Sequence, residues 1–321
     1  MKKLARVAAL IFTALTPVLA HAQEDLYVGG YNTIGQYNET TGATINSTFI
    51  TTPYSNDILT SVGNNTLLTL NQGTGSALGY NVTTGAYTPF NTGSVSQYMS
   101  GAAFNNNILY VSTESGAITG YNTVTSTYPY GISLAASPSS YGASPATNLV
   151  LGGSSIYFGL QISSTQSVVE YFNTSTLTPG LEANATVLTG TITGVVSSVA
   201  TVGNNLYAAV GGKNEILEFN ITTGALEDTI AAANPSKLVA NSTNLYSLNT
   251  STGAVSEFTD DGAIIYSDLV TVSGADSLLL ASPELSGDAP PAAAPEPSTW
   301  AMVGLGLLAI GLWRSRAARK A

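Results

Sequence analysis

The chain has 321 residues, no cysteine, a single histidine and a formal net charge of −10. All nineteen acidic residues lie between Glu24 and Glu296, where Lys213 and Lys237 are the only basic residues, so this interval carries −17 and has no arginine. Because this interval has no basic patch to neutralise phosphate, its composition excludes a protein that binds nucleic acid or anionic lipid. The histidine, His21, precedes this interval, so Ser-His-Asp and Cys-His catalysis are excluded as well.

The N-terminus has the pattern of a secretory signal. Three basic residues within the first six precede an apolar run over Val7–Leu15, and Ala20 and Ala22 supply a small-x-small cleavage site. We therefore predict a signal peptide over residues 1–22, removed by signal peptidase, and a mature chain that begins near Gln23. A permanent N-terminal anchor is the alternative, which the shortness of the apolar run disfavours.

The interval after the signal peptide repeats itself. Each unit has a short aromatic strand, a second strand ending in an aromatic residue and Asn, and a Thr-Gly turn. The six copies begin at Leu26, Leu67, Leu109, Ile156, Leu206 and Leu245. Successive copies start 39 to 50 residues apart. Such periods with hairpin signals in each unit are typical of β-propeller blades, each a four-stranded antiparallel sheet.

The residue types of the repeat also favour strands. Val, Ile, Thr, Tyr and Phe dominate the copies, and Thr-Gly or Asn-Asn pairs separate the runs. In the fifth copy we predict strands over Ser197–Val202, Leu206–Val210, Ile216–Asn220 and Ala225–Ile230. No long amphipathic helical pattern interrupts the repeats, so we predict an all-β, six-bladed propeller over residues 23–285.

The two ends of this domain predict how the ring closes. The first copy begins directly at its second strand, because only three residues separate Leu26 from the predicted cleavage site. The segment that starts at Asp276 resembles the first strand of the sixth copy, which starts at Pro235. We therefore expect the strand Ser277–Ser282 to complete the first blade, with Leu278 and Leu280 on one face and Leu279 on the other.

Carboxylates in the repeat form the one candidate metal site. The residue before the repeated aromatic is Gln36, Gly79, Gly120, Glu170, Glu218 and Glu257 in the six copies. Three consecutive copies thus carry Glu170, Glu218 and Glu257, and an all-oxygen site of this kind suits Ca²⁺. The alternative is that these side chains are solvated at the outer rim. No spacing singles out a catalytic pair of carboxylates, and we expect no resident cofactor other than this candidate Ca²⁺.

Two further motifs are predicted to be turns. Asp260-Asp261-Gly262 stands where other copies have Thr-Thr-Gly, and no D-x-D-x-D-G calcium loop occurs in the chain. The Asn-x-Thr triplets Asn81-Val82-Thr83 and Asn220-Ile221-Thr222 also fall on repeat turns. Turn chemistry therefore accounts for both.

The C-terminus has three parts. Residues 286–297 are rich in Pro and Ala and are predicted to be a semi-stiff linker. An apolar stretch over Trp300–Trp313 follows, and four basic residues end the chain. As a helix, this stretch is about 21 Å long against roughly 30 Å of hydrocarbon. Residues 298–321 are therefore expected to hold the chain in the inner membrane during processing rather than permanently.

This tail resembles a PEP-CTERM sorting signal. Pro295, Glu296 and Pro297 begin the motif, a Gly-rich apolar helix follows, and arginines end it. The resemblance implies recognition by an exosortase, cleavage near Pro295-Glu296-Pro297, and release or transfer to the surface of a Gram-negative cell. Proteins with this tail are often associated with exopolysaccharide production.

The repeat itself resembles those of quinoprotein-like, NHL-like and virginiamycin-B-lyase-like propellers. The resemblance covers the whole predicted domain, yet such propellers serve binding, scaffolding and enzymatic roles alike. Lyases of the last family depend on histidine, which this domain lacks, so only the fold is implied.

Two functions are consistent with these features. The first is a non-enzymatic binding or scaffold protein of the cell surface or matrix, with exopolysaccharide or surface proteins as partners. The alternative is a carboxylate- or Ca²⁺-dependent enzyme that acts on polysaccharide. The near absence of catalytic side chains favours the first.

Overall fold

A computed structural model describes residues 24–53, 58–62, 65–71, 77–90, 99–113, 117–134 and 148–281. These residues form an all-β chain with two single-turn 3-10 helices, Thr174–Thr176 and Gly211–Lys213. In chain order the strands are β1 (Asp25–Gly30), β2 (Thr33–Asn38), β3 (Thr44–Thr51), β4 (Ile58–Val62), β5 (Thr66–Leu70), β6 (Ala77–Asn81), β7 (Tyr87–Thr88), β8 (Met99–Asn105), β9 (Ile108–Thr113), β10 (Ile118–Asn122), β11 (Thr127–Ser133), β12 (Val150–Gly152), β13 (Ser155–Ser163), β14 (Gln166–Asn173), β15 (Glu182–Asn184), β16 (Thr186–Val187), β17 (Ile192–Thr193), β18 (Ser198–Val202), β19 (Asn205–Val210), β20 (Glu215–Asn220), β21 (Leu226–Ala231), β22 (Lys237–Ala240), β23 (Asn244–Asn249), β24 (Ala254–Thr259), β25 (Ile264–Thr271) and β26 (Ala275–Ala281).

The strands form six sheets, which are the six predicted blades. Blade 1 has the order β26-β1-β2-β3, blade 2 is β4 to β7, blade 5 is β18 to β21 and blade 6 is β22 to β25. Blade 3 contains β8 to β11, and blade 4 is built on β12, β13 and β14. The four strands predicted for the fifth copy are confirmed to within one residue at each end.

The predicted closure of the ring is confirmed by the pairing of β26 with β1. The two strands are antiparallel, with Leu26 opposite Leu280 and Val28 opposite Leu278. Leu278 and Leu280 pack on the cluster shared with blade 6, whereas Leu279 packs on the cluster shared with blade 2. The alternation follows from the two-residue period of a strand, and it ties the two ends of the domain into one sheet.

Successive blades pack face to face through alternating side chains of their strands. In blade 6, Tyr246 and Leu248 contact Leu26 and Val28 of blade 1. On the other face of blade 6, Leu245 belongs to the same buried cluster as Tyr207 of blade 5. Because both faces of each sheet are covered, a second strand such as β1 or β5 is buried at every position.

The repeated Asn at the end of the third strand caps the following turn. Its Oδ1 accepts hydrogen bonds from the backbone N–H groups two and three residues later. In blade 2, Asn81 accepts from Thr83 and Thr84 at 2.9 Å each, and in blade 5 Asn220 accepts from Thr222 and Thr223 at 3.0 and 3.1 Å. These are Asx turns, so the Asn-x-Thr triplets have the turn role that the sequence predicts.

The repeated Gly of the same turn lies against the preceding blade. Gly42 and Gly224 have φ values of +65° and +68°. A Cβ atom on either would lie 1.8 Å from a backbone oxygen of the outer segment of the neighbouring blade, that of Leu269 and of Leu188 respectively. The Thr-Gly pair is therefore both a turn and a blade-to-blade contact, since only glycine allows this conformation and this approach together.

Blade 4 departs from the repeat at its outer edge. After β14, the chain first adds β15 to blade 3, parallel to β11, with Gly131 opposite Glu182. It then returns to pair with β14 through two short strands, β16 and β17. The outer edge of blade 3 therefore accepts a fifth strand, which the repeat pattern does not predict.

The predicted signal peptide, linker and sorting tail lie outside the described residues. So do Ala20, Ala22, Pro295, Glu296 and Pro297, whose processing roles stay predictions. Among the residues that are described, no helix is long and apolar enough to cross a membrane.

Candidate functional site

The carboxylates singled out in the repeat lie inside the blades. Glu170, Glu218 and Glu257 are 0%, 7% and 2% exposed, so the alternative that they are solvated at the outer rim is wrong. They occupy β14, β20 and β24, the third strands of blades 4, 5 and 6. Burial of a carboxylate needs hydrogen bonds in compensation, and strand two supplies them in blades 5 and 6.

Glu218 and Glu257 have the same setting. The Nδ2 of Asn205 donates to Glu218 Oε1 at 2.5 Å, and the Nδ2 of Asn244 donates to Glu257 Oε1 at 2.6 Å. Each glutamate also lies opposite a tyrosine of the second strand, Tyr207 and Tyr246. In blade 1 the same position is Gln36, which donates to Asp25 at 2.7 Å.

Glu170 is not equivalent to the other two glutamates. In blade 4 the residue opposite the second-strand tyrosine Tyr157 is Tyr171, and Glu170 is opposite Phe158. The repeat-based alignment placed Glu170 one residue out of register, because this copy has two adjacent aromatic residues where the others have one. A shift of one residue turns the side chain to the other face of the sheet, here towards blade 3.

The three predicted metal ligands are therefore not brought together. They belong to three different sheets, and Glu170 points to the opposite face from the other two. Within the described part of the chain, no three Asp, Glu, His or Cys residues are grouped so as to hold a metal ion. Binding of Ca²⁺ by this protein stays a prediction without a described three-carboxylate site.

In blades 1 and 5 the tyrosine at this position of the second strand connects adjacent blades, a role that the sequence did not reveal. The Tyr27 hydroxyl of blade 1 donates to the backbone oxygen of Val82 in the Asx turn of blade 2, at 2.9 Å. The Tyr207 hydroxyl of blade 5 donates to the backbone oxygen of Asp260 in blade 6, at 2.6 Å. The signal for it was the recurring Leu-Tyr pair, which we interpreted only as strand-forming.

Asp260-Asp261-Gly262 is confirmed as a turn. The Thr259 hydroxyl contacts the Asp261 carboxylate and accepts a hydrogen bond from the backbone N–H of Ala263 at 3.0 Å. Gly262 has a φ of +81° and lies against Ile230 of blade 5. The hydrogen bond from Thr259 holds the pKa of Asp261 below its usual value.

Acidic groups concentrate where blade 6 meets blade 1. Asn241 of blade 6 donates to Glu39 of blade 1 at 3.3 Å. Burial raises the pKa of Glu257, and the Glu39 carboxylate raises it further, against the lowering effect of the hydrogen bonds from Tyr246 and Asn244. Burial likewise raises the pKa of Glu24, with Glu39 as the second cause. Among the described residues, one buried oxygen of Glu24 and one of Glu257 have no hydrogen-bond partner.

These raised pKa values predict that the domain becomes more stable as the pH falls from 7.5 towards 5. A carboxyl whose pKa is higher in the folded state than in the unfolded chain binds its proton more tightly when folded. Its contribution to stability is therefore complete below the unfolded pKa and is lost as the pH rises through the folded pKa. The melting temperature measured between pH 5 and 7.5 checks this expectation.

The variant Glu257→Gln isolates one of these carboxyls. Gln36 occupies the same position in blade 1, so the site accommodates an amide. At pH 7.5 we expect a higher melting temperature, by about 2–4 °C for each kcal/mol gained, and a weaker pH dependence. Glu182→Gln, an exposed control on β15, should change neither. A lower melting temperature for Glu257→Gln at pH 7.5 would contradict the assignment.

A central cavity of about 240 Å³ lies where the inner strands of all six blades meet. Residues of β4, β8, β12, β18, β22 and β26 line it, and most are aliphatic. Its polar side chains are Thr60, Ser61, Asn148, Ser198, Lys237 and Ser277. No carboxylate is among the described lining residues, so the cavity as described offers hydroxyl, amide and ammonium groups but no paired acid and base.

Part of this polar lining holds the inner strands together. Asn148 donates to the backbone oxygen of Val199 and accepts from its N–H, both at 2.8 Å. Ser198 Oγ accepts a hydrogen bond from the N–H of Leu238, also at 2.8 Å. These side chains satisfy backbone groups of the neighbouring blade and so stabilise the ring around the cavity.

Two exposed tyrosines repeat on the outer strands. Tyr87 on β7 and Tyr128 on β11 are 58% and 48% exposed. Each packs on a buried tyrosine of the third strand, Tyr80 at 6.0 Å and Tyr121 at 5.0 Å between ring centroids. At the corresponding place in blade 5, Leu226 lies opposite Phe219. Blades 2 and 3 thus each present one of these aromatic rings to solvent.

Comparison with known proteins supports the fold and the sorting tail. Residues 293–317 match the family model described as the PEP-CTERM protein-sorting motif, which marks the protein as exported, sorted by an exosortase and associated with the cell envelope. No curated protein matches the chain.

Solved structures match the propeller. A chain in the crystal structure of a nidogen/laminin complex is similar with a TM-score of 0.64 at 10% identity, over 80% of this chain and 98% of that one. The computationally designed Ika8 protein is similar with a TM-score of 0.46 at 16% identity, over 80% of this chain and 76% of that one. At such identities the first likeness supports the fold alone.

Proposed function

We propose that this exosortase-sorted propeller is a non-enzymatic scaffold of the cell surface or matrix that binds exopolysaccharide. The observation that supports this proposal is the position of the repeat carboxylates, which lie between the blades and not in the cavity. Glu218 and Glu257, two of the three carboxylates singled out in the repeat, are buried between blades and held by Asn and Tyr side chains. They lie buried where adjacent blades meet and are not directed together into the central cavity.

The exposed tyrosines supply a binding chemistry for such a ligand. A tyrosine ring that is exposed to solvent on one side and packed against a second ring on the other offers a rigid apolar face and a polar hydroxyl. The C–H face of a sugar ring stacks on such a surface without needing charge. A neutral or cationic glycan suits the domain better than a polyanion, since the surface carries a net charge of −17 over Glu24–Glu296.

The experiment is a panel of exopolysaccharides incubated with the protein, with and without Ca²⁺. We expect at least one polymer to be bound and recovered at its original length. The double variant Tyr87→Ala/Tyr128→Ala should lower its affinity about tenfold or more, since each ring contributes roughly 1 kcal/mol or more of contact.

Leu226→Ala is the matched control, because it removes an exposed side chain from the same place on blade 5. It should leave the affinity unchanged. Shortened polymer, especially if shortening needs Ca²⁺, would support the alternative of a carboxylate- or Ca²⁺-dependent enzyme. Intact binding that survives the double tyrosine variant would show that the ligand lies elsewhere on the surface.

A further inference from the structure

The innermost strands carry a polar side and an apolar side at one level of the central cavity. The residue at this level lies opposite the position three places after the first Leu of the second strand in its copy. It is Ser277 in blade 1, Ile58 in blade 2, Gly101 in blade 3, Ser198 in blade 5 and Lys237 in blade 6. Three adjacent blades therefore bring a hydroxyl, an ammonium and a second hydroxyl to this level, and all three residues line the cavity.

Lys237 cannot make the blade-to-blade bond that the same position makes in blade 5. There, Ser198 Oγ accepts a hydrogen bond from the N–H of Leu238 in the next blade at 2.8 Å. A protonated lysine has donors only, so Lys237 cannot accept from a backbone N–H of blade 1. It is half-buried, and it is one of only two basic residues in Glu24–Glu296. The position thus changes from an acceptor that joins blades to a cation on the cavity wall.

Ser277 adds a second donor beside this cation. It is 2% exposed, and its Oγ has no hydrogen-bond partner among the described residues. A buried hydroxyl in this state is unfavourable, so it points to an acceptor supplied from outside the chain. No carboxylate is among the described lining residues. Because an ammonium has three donors, Lys237 can bind an oxygen of a ligand in addition to any contact within the chain.

We propose that the central cavity binds a small carboxylic acid with an apolar body. Its carboxylate pairs with the Lys237 ammonium and accepts a hydrogen bond from Ser277, because charge-assisted bonds of this kind are the stronger ones. The apolar body lies towards Ile58 of blade 2 and towards Ala102 and Ala103 of blade 3, which is across the ring from blade 6.

The volume of the cavity sets the size of the ligand. About 240 Å³ is the liquid volume of roughly eight water molecules, so we expect on the order of eight non-hydrogen atoms. An inorganic oxyanion would leave the apolar wall without contacts. The exposed tyrosines proposed above to bind a glycan lie on the outer strands β7 and β11, so the two sites can be tested independently.

The test is calorimetric titration of the mature protein, purified from cells that process and export it, at about 0.15 M salt. The probes are sodium hexanoate, hexanamide as an uncharged molecule of the same size, and sodium sulfate. We expect hexanoate to bind with a dissociation constant of about 1 mM or lower. Hexanamide and sulfate should each bind at least tenfold more weakly, since the first lacks the charge and the second the apolar body.

Lys237→Met removes the charge at nearly constant length and should raise the dissociation constant of hexanoate at least tenfold. Lys213→Met is the matched control, because Lys213 pairs with Glu215 at 3.5 Å and is not among the described lining residues. Hexanoate should raise the melting temperature of the unmodified protein and of Lys213→Met but not that of Lys237→Met, and the same curves verify that both variants fold.

Three results would overturn the proposal. The first is that hexanoate does not bind at 50 mM, about fifty times the expected dissociation constant. The second is that hexanamide or sulfate binds as tightly as hexanoate, which would indicate a purely apolar cavity or an inorganic anion site. The third is that Lys213→Met weakens binding as much as Lys237→Met does. The comparison of the three probes needs no variant, so it decides the matter even if Lys237→Met fails to fold.

Discussion

Truncation after Gly274 should abolish the stability of the propeller, whereas truncation after Asp288 should preserve it. The shorter chain lacks β26, so β1 loses its partner strand and blade 1 loses its inner strand. Leu278 is 6% exposed, and Leu279 and Leu280 pack on the clusters shared with blades 2 and 6. A fully buried leucine contributes about 1.5–3 kcal/mol, so the loss is comparable with the 5–15 kcal/mol of a typical domain.

The measurement is thermal unfolding of the two truncated chains side by side, with aggregation followed by light scattering. We expect the chain that ends at Gly274 to melt far lower or to aggregate. Equal melting temperatures would mean that β26 is dispensable, and the closure of the ring through its two termini would then be wrong.

Gly224→Ala should be among the most destabilising single substitutions in the domain. The added Cβ would lie 1.8 Å from the backbone oxygen of Leu188 in blade 4, at a residue whose φ is +68°. The left-handed conformation costs about 1–2 kcal/mol for a residue with a Cβ, and forcing atoms into a packed contact costs about 1–3 kcal/mol more. A loss of about 2–5 kcal/mol corresponds to a fall in melting temperature of roughly 5–15 °C.

Gly203→Ala separates the two causes. Gly203 has a φ of +55° and lies in the same blade, but no heavy atom of the described residues would lie within 4 Å of the new Cβ. This variant should show only the conformational cost, about 1–2 kcal/mol. If urea unfolding gives the two variants the same free energy of unfolding, the turn glycine does not act through the neighbouring blade.

The repeat could be recognised in the sequence because the residue preferences of strands and turns depend on near neighbours in the chain. Alternation, Asx turns and Thr-Gly pairs recur at intervals of one blade, so the number of blades and even the strand that closes the ring follow from the residues alone. The closing strand, predicted over Ser277–Ser282, is β26 (Ala275–Ala281), and Ser282 lies outside the described residues. The position of Glu170 was not predicted correctly, because two adjacent aromatic residues gave two possible registers, and only pairing with β13 distinguishes them.

The all-β class, the six units, the closure and the sorting tail could be predicted from the residues, because each depends on local chemistry or on a contiguous motif. Tertiary structure decided what lies between the blades. The hydrogen bond from the Tyr207 hydroxyl to Asp260 joins residues 53 positions apart, and the contact of Gly224 with Leu188 joins residues 36 positions apart. The burial of Glu218 and Glu257 depends on the side chains of adjacent strands across one face of the sheet. Such contacts depend on how one sheet is set against the next, and that arrangement is fixed only when the whole ring is packed.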